Sequence, residues 1–380
     1  MEFIAPCHFG MEAVLKREIT KLGYQVTAVD DGRVTFAGDA SAAARANVFL
    51  RTTERILIKI GEFKALSFDE LFEETKKIPW EEFLPEDAKF WVAKASSVKS
   101  VLFSPSDIQK IVKKAIVERM KNTYHKEWFP ESGAGYPLRI TIKKDIVTIG
   151  MDCTGSALHK RGYRVSPVIA PISETLAASL IALTPWFPDR ILVDPFCGSG
   201  TIPIEAAMRA KHIAPGMKRR FLGEDWSTVV PKEAWREARS EAQAAVLPTA
   251  ECDIQGYDID PRAVRFARDN AEAAGVADCI HFQQRAVRDL SHPKKYGFVI
   301  TNPPYGERLE EREHLPELYR QIGEAYQGLD DWSMYLITSY EDAEKYIGRK
   351  ADRNRKIYNG MLKTYFYQFM GPKPPKKNRG

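Results

Sequence analysis

The stretch Asp194-Pro195-Phe196-Cys197-Gly198-Ser199-Gly200 constrains this chain more than any other. It follows an apolar run, Ile191-Leu192-Val193, that reads as a buried parallel strand. It leads into Ile202 to Ala210, which reads as a helix with Pro203 in its first turn. A strand, a glycine turn and a helix together make a ligand site: the glycines let backbone come close, and the helix start offers free N–H groups. The carboxylate at the strand end, Asp194, would repel a pyrophosphate and suits a cationic or amine-bearing ligand. Far downstream, Asn302-Pro303-Pro304-Tyr305 also follows an apolar run, Phe298-Val299-Ile300. Two such strand ends in one parallel sheet converge on the same carboxyl edge.

At 380 residues the chain is too long for one ordinary core, and two or three domains are expected. A formal net charge of +5 allows a nucleic-acid partner without requiring one. The five cysteines are scattered, with no C-x-x-C pair, which argues against a disulfide framework or a zinc site and suits a reducing cytoplasm. No metal is expected. The first residues lack the basic-then-apolar pattern of a signal peptide, and no apolar run is long enough for a bilayer.

The front half is expected to be α+β. Residues 1–63 read as β-α-β-β-α-β, with a helix over 11–22, a hairpin turn at Asp30-Asp31-Gly32, a second helix over 42–53 and a strand over 55–63. That order is ferredoxin-like. From Ser67 the pattern changes: a helix to Lys77, a strand over 90–97, a helix over 106–121, and a hairpin around Lys143-Lys144-Asp145. Lysines recur there (Lys89, Lys94, Lys99, Lys110, Lys113, Lys114, Lys121, Lys126), some alternating with aromatics, as a phosphate-binding surface or a merely solvated face. Lys160, Arg161 and Arg164 around Gly162 read as a basic hinge that could hold RNA backbone, or as a charged linker.

In the back half, Ile254 to Tyr257 reads as the second strand, ending in Asp258-Ile259-Asp260-Pro261. Asp260, ahead of Pro261 and a helix, is an expected N-cap; Asp258 at the strand tip is expected to accept from ribose hydroxyls. A dinucleotide site is the weaker reading, because Gly198-Ser199-Gly200 lacks the third glycine and Asp258 lies 58 positions beyond Gly200 rather than about 20. Residues 209–250 read as an insertion. A strand over 332–338 and a pair over 356–358 and 363–369 are expected to close the sheet, followed by a basic tail from Pro372.

Asp-Pro-Phe-Cys-Gly-Ser-Gly with a downstream Asn-Pro-Pro-Tyr resembles the amino-group branch of the class I S-adenosylmethionine (AdoMet) methyltransferases. The front half resembles a THUMP RNA-binding module behind a ferredoxin-like domain. Ala5-Pro6-Cys7, Leu158-His159-Lys160-Arg161-Gly162-Tyr163-Arg164 and Ala170 to Ala177 are similar to the THUMP-linked bacterial 23S rRNA guanine-N2 methyltransferases. The resemblance implies a ferredoxin-like domain at 1–63, a THUMP domain at 64–157 and a Rossmann-like methyltransferase domain at 158–371; the tail at 372–380 lies outside it and reads as basic and flexible from its residues. It implies AdoMet as cofactor, held by Asp194, Phe196, Gly198, Gly200, Thr201, Asp258 and Asp289. Family members often carry an Asp for the cofactor adenine where this chain has Ala286, so either Asp289 substitutes or backbone serves. The implied catalytic set is Asn302, Pro303, Pro304 and Tyr305, with Glu307 or Arg308 at the base or the flanking phosphate.

The chemistry fits. An exocyclic base amine is a poor nucleophile, and two acceptors, the Asn302 side chain and the Pro303 carbonyl, can aim it at a methyl donor. Consecutive prolines stiffen the turn and bring no competing N–H. Tyr305 offers a stacking face to an unstacked base. Cys197 reads as packing rather than as a nucleophile. The expected partner is RNA, 23S rRNA first and tRNA second. An adenine-N6 methyltransferase on RNA or DNA, or a noncatalytic RNA-binding ribosome-assembly protein, are the alternatives.

Overall fold

The computed structural model describes residues 1–165, 171–306, 312–360 and 362–375. The chain divides into two compact units: residues 1–7, 16–158 and 219–241 form the first, and residues 8–15, 159–218 and 242–380 the second.

The first unit is built on one seven-stranded sheet. Its elements run β1 (Glu2–Pro6), α1 (Glu12–Lys21), β2 (Gln25–Asp30), β3 (Arg33–Ala37), α2 (Ser41–Phe49), β4 (Leu57–Lys64), α3 (Phe68–Lys77), β5 (Lys89–Val98), α4 (Pro105–Tyr124), β6 (Gly135–Lys143) and β7 (Ile146–Asp152). Spatial order is β2-β3-β1-β4-β7-β6-β5. The first four strands have the ferredoxin-like order. β4 then pairs with β7 on its other side, so the expected boundary at residue 63 falls within a continuous sheet. All pairs are antiparallel except β5–β6. Local signals act as read: Ser67 caps α3 by accepting from the Glu70 N–H, and Lys144 and Asp145 take positive φ in the two-residue β6–β7 turn. α2 stops at Phe49, short of the expected 53, because Leu50 takes extended backbone.

The second unit is a doubly wound sheet. Its elements are α5 (Glu174–Leu183), β8 (Leu192–Asp194), α6 (Thr201–Ala210), β9 (Ile254–Asp258), α8 (Pro261–Ala274), β10 (Ile280–Gln284), β11 (Phe298–Thr301), α9 (Leu315–Gln327), β12 (Ser333–Thr338), α10 (Ala343–Ile347), β13 (Arg353–Asn359) and β14 (Leu362–Phe369); α7 (Lys232–Ala244) falls between α6 and β9 in the chain but belongs, up to residue 241, to the first unit. The order is β10-β9-β8-β11-β12-β14-β13, with five parallel strands and an antiparallel closing pair. Strand order reverses between β8 and β11, the switch point where doubly wound sheets open a crevice. Its central strands are buried on both faces: Val193, Val299, Met334 and Leu336 sit in one apolar cluster with Tyr319, Trp332 and Phe369.

The expected insertion has a structural role. Residues 219–241 count with the first unit, where the Trp226 ring stacks on Tyr136 at 4.9 Å between centroids and its Nε1 donates to the Gly135 carbonyl at 2.9 Å. No described helix is long and apolar enough to cross a membrane.

Candidate active site

β8 ends at Asp194 and the chain turns through Gly198 and Gly200 into α6. Both glycines have positive φ, 52° and 82°, but only one is there for packing. A Cβ on Gly200 would meet Phe282 at 3.0 Å and Ala267 at 3.1 Å, so the α6 start lies tight against β10 and α8. A Cβ on Gly198 would meet nothing within 4 Å, which leaves that turn open on its outer side.

Asp258, at the tip of β9, accepts from the Gly198 N–H at 3.0 Å through Oδ2 and from the Asp260 N–H at 2.9 Å through Oδ1. Partial burial raises its pKa; the backbone donors pull the other way. Asp260 is the N-cap of α8, accepting from the Arg262 N–H.

Asp194 is 2 % exposed. Its Oδ1 accepts from the Thr301 hydroxyl at 2.6 Å and from the Phe196 N–H at 3.1 Å. Burial lifts its pKa to about 7, the nearby Asp258 charge adds to the rise, and the two donors oppose it. Asp194 therefore joins the two halves of the site: Thr301 is the last residue of β11, and the next four residues are Asn302-Pro303-Pro304-Tyr305.

Asn302 and Tyr305 are half-buried, Pro303 is buried and Pro304 exposed. Among the described residues the Asn302 side chain has no protein hydrogen-bond partner, so its oxygen is available to a ligand. The Pro304 carbonyl is held from behind by the Tyr319 hydroxyl at 3.3 Å, which also shares a 2.6 Å hydrogen bond with Thr338. Tyr319 is buried, which raises its pKa and keeps the phenol protonated as a donor. Glu307 and Arg308 lie outside the described residues.

Phe196 packs on the apolar cluster beneath the site, and Thr201 starts α6. Asp289 ends a short 3-10 turn after β10, with its side chain 61 % exposed and 4.0 Å from Arg288. β10 ends level with Asp258, so Asp289 stands beyond the same edge. Burial drives the Cys197 thiol pKa well up, consistent with a packing role.

One expectation is overturned. Arg161 and Arg164 do not form an outward basic hinge. Arg161 pairs with Glu205 at 3.3 Å, the two side chains 1 % and 0 % exposed, and the Tyr163 hydroxyl donates to the same carboxylate. Arg164 lies 3.1 Å from Glu174 and donates to the Ser199 and Thr201 hydroxyls at 2.9 and 3.2 Å. Buried carboxylates demand such cations. Arg164 therefore braces the glycine turn from inside and Arg161 ties into α6, while Lys160 stays exposed. Sequence reasoning also missed Thr301, Tyr319, Thr338 and Asn270, whose amide donates to the Ser199 carbonyl at 3.0 Å. Thr301 carried a signal, a polar residue closing an apolar strand; a tyrosine at helical spacing, as Tyr319, reads only as core.

This geometry can be set beside known proteins. Family models match an RlmL ferredoxin-like domain at residues 2–57, a THUMP domain at 65–152 and an RMKL-like methyltransferase domain at 161–368. The chain belongs to the RMKL-like methyltransferase family. Its fold is the expected Rossmann-like α/β domain preceded by ferredoxin-like and THUMP domains. It is 47 % identical, over 99 % of its length and 97 % of the relative's, to YpsC of Bacillus subtilis (strain 168), whose name proposes an RNA methyltransferase. It is 33 % identical to the ribosomal RNA large subunit methyltransferase K/L of Shewanella pealeana, of which it spans 52 %. Two solved structures match at TM-score 0.92. SMU.472, whose description proposes a methyltransferase and which is complexed with SAH, is 41 % identical over 98 % of this chain and 99 % of that one. A Listeria monocytogenes protein described as a predicted N6-adenine-specific DNA methylase is 47 % identical over 98 % and 96 %.

The methyltransferase site fits AdoMet in three respects. The outer side of Gly198 is open to a ligand, Asp258 presents a half-buried carboxylate at the second strand tip, and Asp194 sets a second carboxyl group at the end of β8, on the same edge.

Proposed function

We propose that the protein is an AdoMet-dependent RNA methyltransferase that modifies an exocyclic base amine, guanine N2 of 23S rRNA in the leading reading. The observation that carries it is the 2.6 Å hydrogen bond from Thr301 to Asp194, which sets an Asn302 amide, without a hydrogen-bond partner among the described residues, beside a glycine turn suited to AdoMet. SAH, the demethylated form of AdoMet, sits in a structural relative, and THUMP and rRNA-methyltransferase relatives favour RNA.

AdoMet supplies an electrophilic methyl group on a cationic sulfur. The chain's own residues supply position. Asp258 and the Gly198 turn hold the nucleoside end of the donor, and Asp194 favours its positive charges. Either Asp289 or the backbone after β10 would hold its adenine, Ala286 standing where family members often carry an Asp. The Asn302 oxygen and the Pro303 carbonyl accept from the two amine hydrogens, fixing the nitrogen toward the methyl. Tyr305 stacks on the base. Positioning of this kind is worth orders of magnitude in rate. Guanine N2 is preferred over adenine N6 on the family resemblance, since Asn-Pro-Pro-Tyr serves either amine. We take the domains as 1–63, 64–157 and 158–371 with a basic tail at 372–380, and the cytoplasm as the compartment.

The test is transfer from labelled AdoMet to rRNA, tRNA and DNA from cells lacking the gene, digested to nucleosides, with Asn302→Ala as control. Label in N2-methylguanosine from rRNA, lost in the variant, is the expected result. Label in N6-methyladenine, or in DNA, would replace the substrate assignment. No transfer with intact SAH binding would favour the noncatalytic alternative.

A further inference from the structure

The geometry points to the β13–β14 hairpin as a landing platform for the single RNA strand that flanks the target base. This rests on the RNA reading above.

The two strands pair with Lys356 opposite Tyr365 and Tyr358 opposite Lys363. Residues two apart share a face of a strand, so these four side chains form a checkerboard on one face of the hairpin. The opposite face carries Ile357, Thr364 and Phe366, all buried. The lysines are exposed and the tyrosines half-buried. Lys356 Nζ lies 5.0 Å from the Tyr358 ring and Lys363 Nζ 5.1 Å from the Tyr365 ring. Cation–π contacts at exposed sites are weak, so each ammonium is positioned yet ready to exchange its ring for a phosphate. Lys363 also hydrogen-bonds the Tyr365 side chain and has Glu341 nearby.

Phe9 adds a third ring. It is 46 % exposed and meets Tyr358 edge-on at 5.7 Å. Its loop is tied to β13: His8 Nδ1 lies 3.4 Å from the Tyr358 carbonyl, and Arg355 donates to the Gly10 carbonyl at 2.8 Å.

The platform adjoins the candidate site. Thr338, the end of β12, pairs with Tyr365, and the hairpin continues three residues further to Leu362 and Asn359. At about 3.3 Å per residue, the Tyr358–Lys363 pair stands roughly 7 Å beyond that rung. β11, which leads into Asn302, is two strands away from β14, roughly 10 Å. Between them lie Tyr319, touching the Pro304 carbonyl, and Tyr340, whose ring is 4.9 Å from that of Tyr319. Tyr340 and Tyr365 pack against the same apolar cluster.

Alternating cations and aromatic faces suit a single strand, whose bases are free to stack and whose phosphates follow. A duplex hides its base faces and would leave the tyrosines idle.

The test uses the full chain with SAH present and a fluorescein-labelled oligouridylate, followed by anisotropy across a salt series. Lys356→Ala with Lys363→Ala is expected to flatten the salt slope by about 1.4, at roughly 0.7 per phosphate contact. Tyr358→Ala is expected to weaken binding about fivefold or more, while Tyr358→Phe keeps it. SAH affinity should be unchanged in all of them. On rRNA that the wild type methylates, the lysine pair should raise KM and spare kcat. Unchanged oligouridylate affinity and KM in these variants would overturn the platform and leave the methyltransferase reading standing. Weakened binding of oligothymidylate alone would overturn it as well. A wild type that binds SAH but methylates no RNA fails the earlier reading instead.

Discussion

The two units each rest on seven strands, but one leaves a sheet face open and the other a sheet edge. In the first unit the strands are nearly all antiparallel, and one face of the sheet lines an open cavity of about 380 Å³. Arg33, Lys94, Arg139 and Lys143 border it together with Asp31, Ile4 and Leu57; Arg33, Arg139 and Lys143 are paired with Asp30, Asp152 and Asp31, and Lys94 makes no ion pair among the described residues. In the second unit the five parallel strands are covered on both sides, and polar chemistry is confined to the carboxyl edge, where Asp194, Asp258 and Asn302 come together. An open basic face gathers affinity by adding weak, screened contacts. A buried edge site depends on a few side chains whose partners are out of water. Single substitutions should therefore be severe in the second unit and mild in the first.

The severest should be Arg161→Leu, which strands the fully buried Glu205 carboxylate. Breaking a buried pair from one side costs about 3–5 kcal/mol, whereas Arg161→Leu with Glu205→Leu should recover most of it. Urea unfolding measures both; a single variant within about 1 kcal/mol of wild type would break the contrast. Asp258→Ala comes next. Hydrogen bonds to charged groups contribute about 1.5–3 kcal/mol, so SAH affinity should fall roughly tenfold to a hundredfold by calorimetry. A fall below threefold would remove Asp258 from the cofactor site.

Asp194 sharpens the comparison through pH. Its folded pKa of about 7 lies above the ordinary carboxylate value, so its stabilisation of the unliganded protein is fully present below about 4 and is lost as pH rises through 7. Binding of a cationic donor runs the other way: AdoMet affinity should drop about tenfold per unit as pH falls below 7, because the carboxylate must shed its proton. Asp194→Asn should flatten both trends. Titration calorimetry and thermal unfolding between pH 8 and pH 5.5 read them, and a wild-type affinity that is flat over that range would refute the assignment.

What was legible in the sequence follows the same division. The glycine turn and Asn-Pro-Pro-Tyr are contiguous, so their strand, turn and helix context could be read directly. Asp194 to Thr301, Asp258 to Gly198 and Arg161 to Glu205 are bonds between residues far apart in the chain, and nothing local announces them. The misreading of Arg161 and Arg164 has that cause: a basic linker looks the same whether it faces solvent or two buried glutamates. α7 was missed although Trp235, Ala238 and Ala242 repeat at helical spacing and are buried. Its helical pattern was readable, but the membership of residues 219–241 in the first unit was not.

The smallest effect is expected in the first unit. Lys94 is exposed, borders the basic cavity and makes no ion pair among the described residues. By contrast Lys121 and Lys126, in the same lysine-rich stretch, are paired with Glu127 and Glu86 and so are partly neutralised. If the face collects RNA phosphates one at a time, Lys94→Ala should weaken binding of rRNA fragments two- to fivefold. It should reduce the salt slope by about 0.7 to 0.9, whatever the sequence. Lys126→Ala, starting from a paired lysine, should change it less. A loss of a hundredfold from Lys94→Ala alone would mean that the open face holds a shaped pocket rather than a summed surface, and the contrast between face and edge would fail on that side.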